Sequence, residues 1–399
     1  MQKHRVFWAL VFANLLTLVL LPEIAHAQVV TVSCSPATGG TYPSITTALN
    51  AVGQIGPRTF TVTGTCNENV SLTNAQSLTF IAGPSGAKIV QPQDSNTFDI
   101  ARSQNITLQN LEIAGVPGST PGFGGAGVNI QEASGVNILQ CDIHDNEGAG
   151  VLALNGSMLV LHATNIHNNT PGDGLDVVNS TANVRTTTIQ NNGCAGRATC
   201  FNFGFGGGVG VFVTRTSTVS LRQNTVIQNN ADIGIVARLL STVGLDSTLT
   251  TVQGHNITGI FIQEGAHLQV NGTSLVQGNG GGCPHDTPIP CGGIFASENA
   301  TLEFAGFGTV SGNQGSGIFV EQGTNLHLGG GVTVSNNSGD GVHIQRISIG
   351  DFTPIPGASG SNNTITGNGG ASVFCDARSL AIGNLSGFSN VKCEQLEGH

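Results

Sequence analysis

Short runs of alternating apolar and polar residues, separated by glycine and asparagine, recur along almost the whole chain. A glycine followed by an aliphatic residue, any residue and a second apolar residue stands at Gly127, Gly150, Gly174, Gly210, Gly234, Gly259, Gly293, Gly317 and Gly341. A second element precedes several of these, as in Asp142-Ile143-His144-Asp145-Asn146, Asn165-Ile166-His167-Asn168-Asn169 and Thr188-Ile189-Gln190-Asn191-Asn192. Alternation with a period of two predicts strands, and the Gly and Asn positions predict turns. A repeat near 24 residues built from such strands predicts a parallel solenoid in which each repeat is one coil.

Stacked coils rise by about 4.7–4.9 Å, so residues in equal register form ladders. Val128, Val151, Leu175, Val211, Ile235, Ile260, Ile294, Ile318 and Val342 are expected to make one inward stripe. Ile130, Ala153, Val177, Val213, Ala237, Ile262, Ala296, Val320 and Ile344 are expected to make a second. Asn146, Asn169, Asn192, Asn230, Asn313 and Asn337 fall in the preceding turn, where stacked amides serve backbone groups. Parallel crossovers are overwhelmingly right-handed, which sets the expected hand. Open solenoid ends need capping. Ile45, Ala48, Leu49 and Val52, with Ser44 as N-cap and Gly53 or Gly56 as the stop, predict a short amphipathic helix over the first coil. The fold class expected is therefore all-β: a single-stranded right-handed parallel β-helix with a short N-terminal capping helix and a disulfide-stapled C-terminal cap.

The division expected is a signal peptide over 1–27, an N-terminal cap over 28–60, the β-helix over 61–374 with stapled inserts near 193–207 and 280–291, and a C-terminal cap over 375–399. Lys3, His4 and Arg5 precede an apolar run ending near Leu21, and Ala25-His26-Ala27 supplies a cleavage pattern. The reading is a secreted chain, extracellular, periplasmic or at the cell surface, with no integral membrane segment after cleavage. Only 9 % of residues are charged, and the formal net charge is −10, which argues against a nucleic-acid partner. Nine cysteines suit export. The pairs expected are Cys34 with Cys66, Cys194 with Cys200, Cys283 with Cys291 and Cys375 with Cys393, leaving Cys141 as a buried thiol in register with Thr164 and Thr187.

The repeats, together with Tyr42-Pro43-Ser44-Ile45-Thr46-Thr47-Ala48-Leu49 and Gly64-Thr65-Cys66-Asn67-Glu68-Asn69-Val70, resemble the pectin-lyase-like superfamily of secreted β-helix proteins, the N-terminal pattern being most similar to the first coil of pectin methylesterases. That superfamily includes lyases, hydrolases, esterases, epimerases and non-catalytic adhesins, so the resemblance implies an architecture and leaves the reaction open. Its catalytic motifs are incomplete in this chain. Phe201-Asn202-Phe203-Gly204 lacks the aspartate of an esterase site, and the single Trp lies in the signal segment. Polygalacturonase-like motifs survive as Asn169-Thr170-Pro171-Gly172-Asp173-Gly174-Leu175-Asp176, with two extra residues, and as Arg346-Ile347 followed by Ser348. Pro284-His285-Asp286 matches part of the alginate-epimerase motif, with Cys283 in place of its first Asp.

Two constellations remain. Asp145, Glu147, Asp173 and Asp176 are expected to meet at one corner of two stacked coils, where their repulsion is relieved by bound Ca²⁺ or by a raised pKa. In a calcium-assisted lyase Asp173 and Asp176 would be catalytic with Arg215 as the nearest strand base, whereas plain solvated turn acids are the bland alternative. On the outward face of the glycine-led strand, Phe212, Val236, Phe261, Phe295, Phe319 and His343 form an apolar column. With Glu264 and Glu298, and with Glu321, Gln263 and Gln345, it reads as a polysaccharide groove. Alternatively it is covered by the inserts or by a partner chain, so oligomerisation through it is the competing role. Two functions follow: a polysaccharide-recognising protein, and a non-catalytic structural or adhesin-type rod.

Overall fold

The computed structural model describes residues 27–35, 39–92, 95–115, 125–194, 207–246, 249–282, 290–354 and 362–393. Most of the segment read as a signal peptide, and the centres of the two expected inserts, lie outside the described residues.

Strand pairing is parallel in every ladder and produces three faces. The first runs through 13 strands from Val70–Thr73 to Val391–Cys393 and contains every glycine-led repeat. The other two faces are joined into one sheet because early strands turn the corner without a break. Gln76–Val90, for instance, pairs through its first half with Gln104–Gln109 and through its end with Glu112–Ala114. Both inward stripes take the expected register, Val151 opposite Val128 and Leu175 and so on to Val342 opposite Ile318, and all are buried in one continuous core.

The corners are held by polar ladders. Asn146 Nδ2 donates to Asn169 Oδ1 at 2.8 Å, and the pattern repeats through Asn192 to Asn230, and again from Asn279 through Asn313 and Asn337 to Asn368. Each Oδ1 also accepts the backbone N–H of the coil before, as Asn169 Oδ1 does from Asn146 at 3.1 Å. A second corner uses serine: the N–H groups of Ser103, Ser134, Ser157, Ser180 and Ser217 each donate to the hydroxyl of the next serine in the series, which ends at Ser241. The third uses Thr164 and Thr187, with Cys141 in the same register. Burial pushes the Cys141 thiol up to about 12, so it is an inert core group. The repeated glycine is explained by close approach: a Cβ on Gly127 would lie 2.7 Å from the Gly150 carbonyl oxygen and 2.8 Å from Asn146 Nδ2.

Both ends are closed by sequence-local devices. The helix Ile45–Val52 has Ser44 as N-cap, accepting from Thr47 N–H, and Gly53 at its C-cap with φ +81°. Glu68 supplies a second cap from the following coil, accepting the N–H groups of Ile45 and Thr46 at 2.8 and 2.9 Å. The two halves of the N-terminal motif therefore touch. Glu68→Ala is expected to lower stability by about 1–2 kcal/mol, the usual cost of losing a cap. Urea unfolding measures it, and an unchanged midpoint would show that the serine alone caps the helix.

Cys34 is bonded to Cys66 and Cys375 to Cys393. Cys194 and Cys291 are disulfide-bonded as well. Cys200 and Cys283 lie outside the described residues. The coil pattern does not stop at Phe374: Leu380–Gly383 pairs with Ile349–Phe352, and Val391–Cys393 with Val373–Cys375. The stapled cap is thus one further coil, with Leu385 and Phe388 packed against the end of the core.

Candidate functional site

The outward side of the first face divides into an acidic start, a covered middle and an accessible end. At the start, Asp173 precedes strand Leu175–Val178 and Asp176 lies on it. Asp173 is only 3 % exposed, and its Oδ1 accepts the N–H groups of Gly207 and Val209 at 2.7 and 2.8 Å. Burial pushes Asp173 up to about 6 against the pull of these bonds and of a hydrogen bond with Asp176, and nearby Asp232 adds repulsion. Asp176 is raised well above the carboxylate range by burial, then by the charge of Asp173 and the hydrogen bond with it.

The four carboxylates do not converge. Asp145 closes the third-face strand with φ +56°, so its Oδ2 lies 2.8 Å from His144 Nδ1 on that face. Glu147 is buried in the turn beyond. Among the described residues no three of Asp145, Glu147, Asp173 and Asp176 place oxygens within 4.8 Å of one another. The one such triad, Cys34, Cys66 and Glu68, contains a disulfide. These acids therefore do not fit the oxygen cage that Ca²⁺ requires, and a raised pKa relieves their repulsion instead. Asp232, which the linear sequence separates from Asp173 by an insert, is the member that sequence reading missed.

Catalysis by the pair is also disfavoured by geometry. Glycosidase carboxyls stand about 5–9.5 Å apart to flank a bond, whereas Asp173 spends Oδ1 on two backbone N–H groups and lies near enough to Asp176 for each to shift the other's ionisation. Arg215 sits exposed in the turn after strand Val209–Thr214, three residues past Phe212, the residue opposite Asp176. At about 3.3 Å per residue its backbone is about 10 Å away along the sheet. Arg346 lies further still, six coils beyond Asp176, or about 29 Å at the usual spacing, so the two polygalacturonase-like fragments do not share one sugar bond.

In the middle, the column follows the expected register: Asp176, Phe212, Val236, Phe261, Phe295, Phe319, His343. Its centre is not a groove. Val236, Phe261 and Phe295 are 0, 1 and 4 % exposed and form a second apolar cluster with Val209, Ile233 and Ile257. Being buried within the single chain, they offer neither a sugar platform nor an interface between copies. Of the inserts expected to cover them, near 193–207 and 280–291, residues 195–206 and 283–289 lie outside the described residues. Glu264 is spent on Arg238, through contacts of 2.7 and 3.0 Å to the guanidinium, and Glu298 sits exposed in a turn at φ +56°.

Phe319, His343 and Phe374 form the accessible end. His343 stacks between the two phenyl rings, with centroids 4.5 Å away on each side. Ladder stacking spends the ring faces on each other and leaves edges outward, so this is not a flat platform for sugar rings. Polar groups surround the edges: Asp340, Gln345 and Glu321 are linked to His343 and to Arg346 by hydrogen bonds and an ion pair. Lys392 follows Phe374 in register. Arg346, Ile347, Asp376, Ala377 and Arg378 line a shallow concavity beside them. Asp376 accepts the backbone N–H groups of Arg346 and Arg378 at 2.9 and 3.1 Å, and so ties the two turns that carry these residues to one carboxylate.

The chain belongs to the right-handed β-helix family, whose model, described as a right-handed beta helix region, matches residues 60–306. This agrees with the right hand expected from the sequence. Solved structures with TM-scores of 0.50 and above carry the same fold. The A-module of the mannuronan C-5 epimerase AlgE4 from Azotobacter vinelandii aligns with TM-score 0.54 at 12% identity, over 88% of this chain and 94% of that one. The A-module of AlgE6 from the same organism aligns with TM-score 0.50 at 12% identity, over 85% and 93%. An endo-xylogalacturonan hydrolase from Aspergillus tubingensis aligns with TM-score 0.42 at 13% identity, over 92% and 99%. No curated protein matches the sequence. At these identities the likeness is one of fold. No helix among the described residues is long and apolar enough to cross a membrane.

Proposed function

We propose that the protein is an extracellular carbohydrate-binding solenoid that recognises acidic polysaccharide at the C-terminal end of the first face without cleaving it. The observation that carries this reading is the gathering of Arg346, Arg378 and Lys392 around the Phe319, His343 and Phe374 edge, in a chain whose net charge is −10. Elsewhere the described cations are largely consumed by acids, as in Lys88 with Glu112, Arg222 with Asp246 and Arg238 with Glu264. Arg346 itself pairs with Glu321, yet its side chain is 59% exposed. A guanidinium presents paired donors that match a uronate carboxylate, and Gln345 and Asp340 suit sugar hydroxyls. The disulfides support an oxidising, extracellular setting. The burial of Asp173 and its use of Oδ1 on the Gly207 and Val209 N–H groups support binding over hydrolysis.

Purified protein is expected to be retained on polygalacturonate or alginate and to pass a neutral glucan, with no rise in ultraviolet absorbance from unsaturated uronides. Arg378→Ala should weaken retention about tenfold, the equivalent of one charge-assisted contact, and added salt should do the same. Unsaturated product would make the protein a lyase. Equal retention on the neutral glucan, or on nothing, would overturn the reading, the latter in favour of a purely structural rod.

A further inference from the structure

One chain of polar contacts crosses the accessible end. Arg346 Nη1 lies 3.0 Å from Glu321 Oε2, and Gln345 Nε2 donates to the same oxygen at 2.8 Å. An ionised carboxylate only accepts, so this bond fixes the direction of the Gln345 amide: its NH₂ faces Glu321 and its Oε1 faces away. There Oε1 meets His343 Nε2 at 3.4 Å. The other ring nitrogen, Nδ1, lies 2.7 Å from Asp340 Oδ2. Burial opposes ionisation of Asp340, but the His343 bond and the Ala371 N–H outweigh it and hold this carboxyl below its usual range.

Both nitrogens of His343 therefore face acceptors. A neutral imidazole has one N–H and leaves one of these contacts unmade, whereas an imidazolium satisfies both. The phenyl rings of Phe319 and Phe374 on its two faces suit the same cationic form. The charged groups around it are Asp340 in the preceding turn, Glu321 from the coil before, Arg346 on its own coil, and Asp376 and Lys392 from the coils after.

We propose that His343 is a protonation switch for polymer binding at this face. With the ring doubly protonated, the chain from Asp340 to Arg346 is continuous and a positive charge sits between the two phenyl rings where an anionic polymer arrives. Loss of the proton sets a ring lone pair against Gln345 Oε1, breaks the chain and removes that charge. The inference rests on the reading of this face as an acidic-polysaccharide site.

The test joins two measurements on the full chain across a pH series: ring ¹⁵N shifts of His343, and retention on polygalacturonate. Retention should fall on the order of tenfold with rising pH, over the same interval in which the ring goes from two N–H groups to one. His343→Gln, which keeps a donor but does not titrate, should lack the step. A step that persists in that variant, or one that falls where the ring shifts do not change, overturns the switch alone. A ring with a single N–H throughout the series also overturns it, independently of any polymer. No retention at any pH sinks the recognition reading and the switch with it, even if the ring is doubly protonated.

Discussion

Asp173→Asn is expected to remove a stability loss that the native chain suffers as pH rises. The folded-state pKa of Asp173 is pushed up to about 6 from the ordinary 3.8, chiefly by burial. Its contribution is fully present below pH 3.8, where both folded and unfolded chains are protonated, and disappears as pH rises through 6, because the unfolded chain ionises first. The difference corresponds to about 3 kcal/mol. Asparagine keeps an oxygen for the N–H groups of Gly207 and Val209 and an NH₂ for Asp176, but it has no proton to lose. Asp176 would also be relieved of the Asp173 charge, the second-ranked cause of its own raised pKa. Urea unfolding at pH 4 and pH 8 should show the variant losing about 2–3 kcal/mol less than the native chain over that range. An identical loss in both proteins would show that Asp173 is hydrated in solution and that its pKa is not raised.

That the chain retains an arrangement so costly at neutral pH was only partly legible in the sequence. The coil registers were, because inward Val, Ile and Leu at a two-residue period admit one phase, and a slip by one residue would turn Val211 or Ile260 outward. The Asn corner was legible for the same reason. The Thr164 and Thr187 register was legible as well, with Cys141 in it, but the serine corner was missed, though the spacing from Ser134 to Ser157 to Ser180 matches the coil length. The pairing of Asp173 with Asp176 followed from their place around Gly174. Asp232 did not, because an insert makes a neighbour in space distant in sequence. Nor could composition reveal that Phe261 and Phe295 are covered while Phe319 and His343 are not, since all four occupy the same register and differ only in what lies above them. Arg378 and Lys392 escaped notice because the alternating pattern weakens in the last coil, although its strands still pair.

The second large effect belongs to a residue that interrupts the Asn ladder. Between Asn230 and Asn279 the corner position is His255, fully buried. Its Nδ1 accepts the Asn230 N–H at 3.2 Å, its Nε2 donates to the Ile227 carbonyl at 3.2 Å, and its own N–H donates to Asn279 Oδ1 at 3.1 Å. This is the neutral ring, and a proton on Nδ1 would confront the Asn230 N–H. Burial accordingly lowers its pKa to about 4 from 6.5, against the two backbone bonds. The sign is opposite to that of Asp173: the contribution is present above pH 6.5 and is lost as pH falls through 4, again by about 3 kcal/mol. Over roughly pH 4 to 6.5 the two groups oppose each other, and the native stability should change little there. His255→Asn would restore a regular ladder position, with an Oδ1 able to accept from both Asn230 N–H and Asn230 Nδ2. Near pH 7 its stability should lie within about 1 kcal/mol of native, and at pH 4 it should exceed native by about 3 kcal/mol. Each substitution also exposes the other group: Asp173→Asn should be the more acid-labile protein, and His255→Asn should show the full alkaline loss of the aspartate. If the double variant does not flatten both limbs, the buried groups of this corner do not govern the pH profile, and exposed carboxylates do.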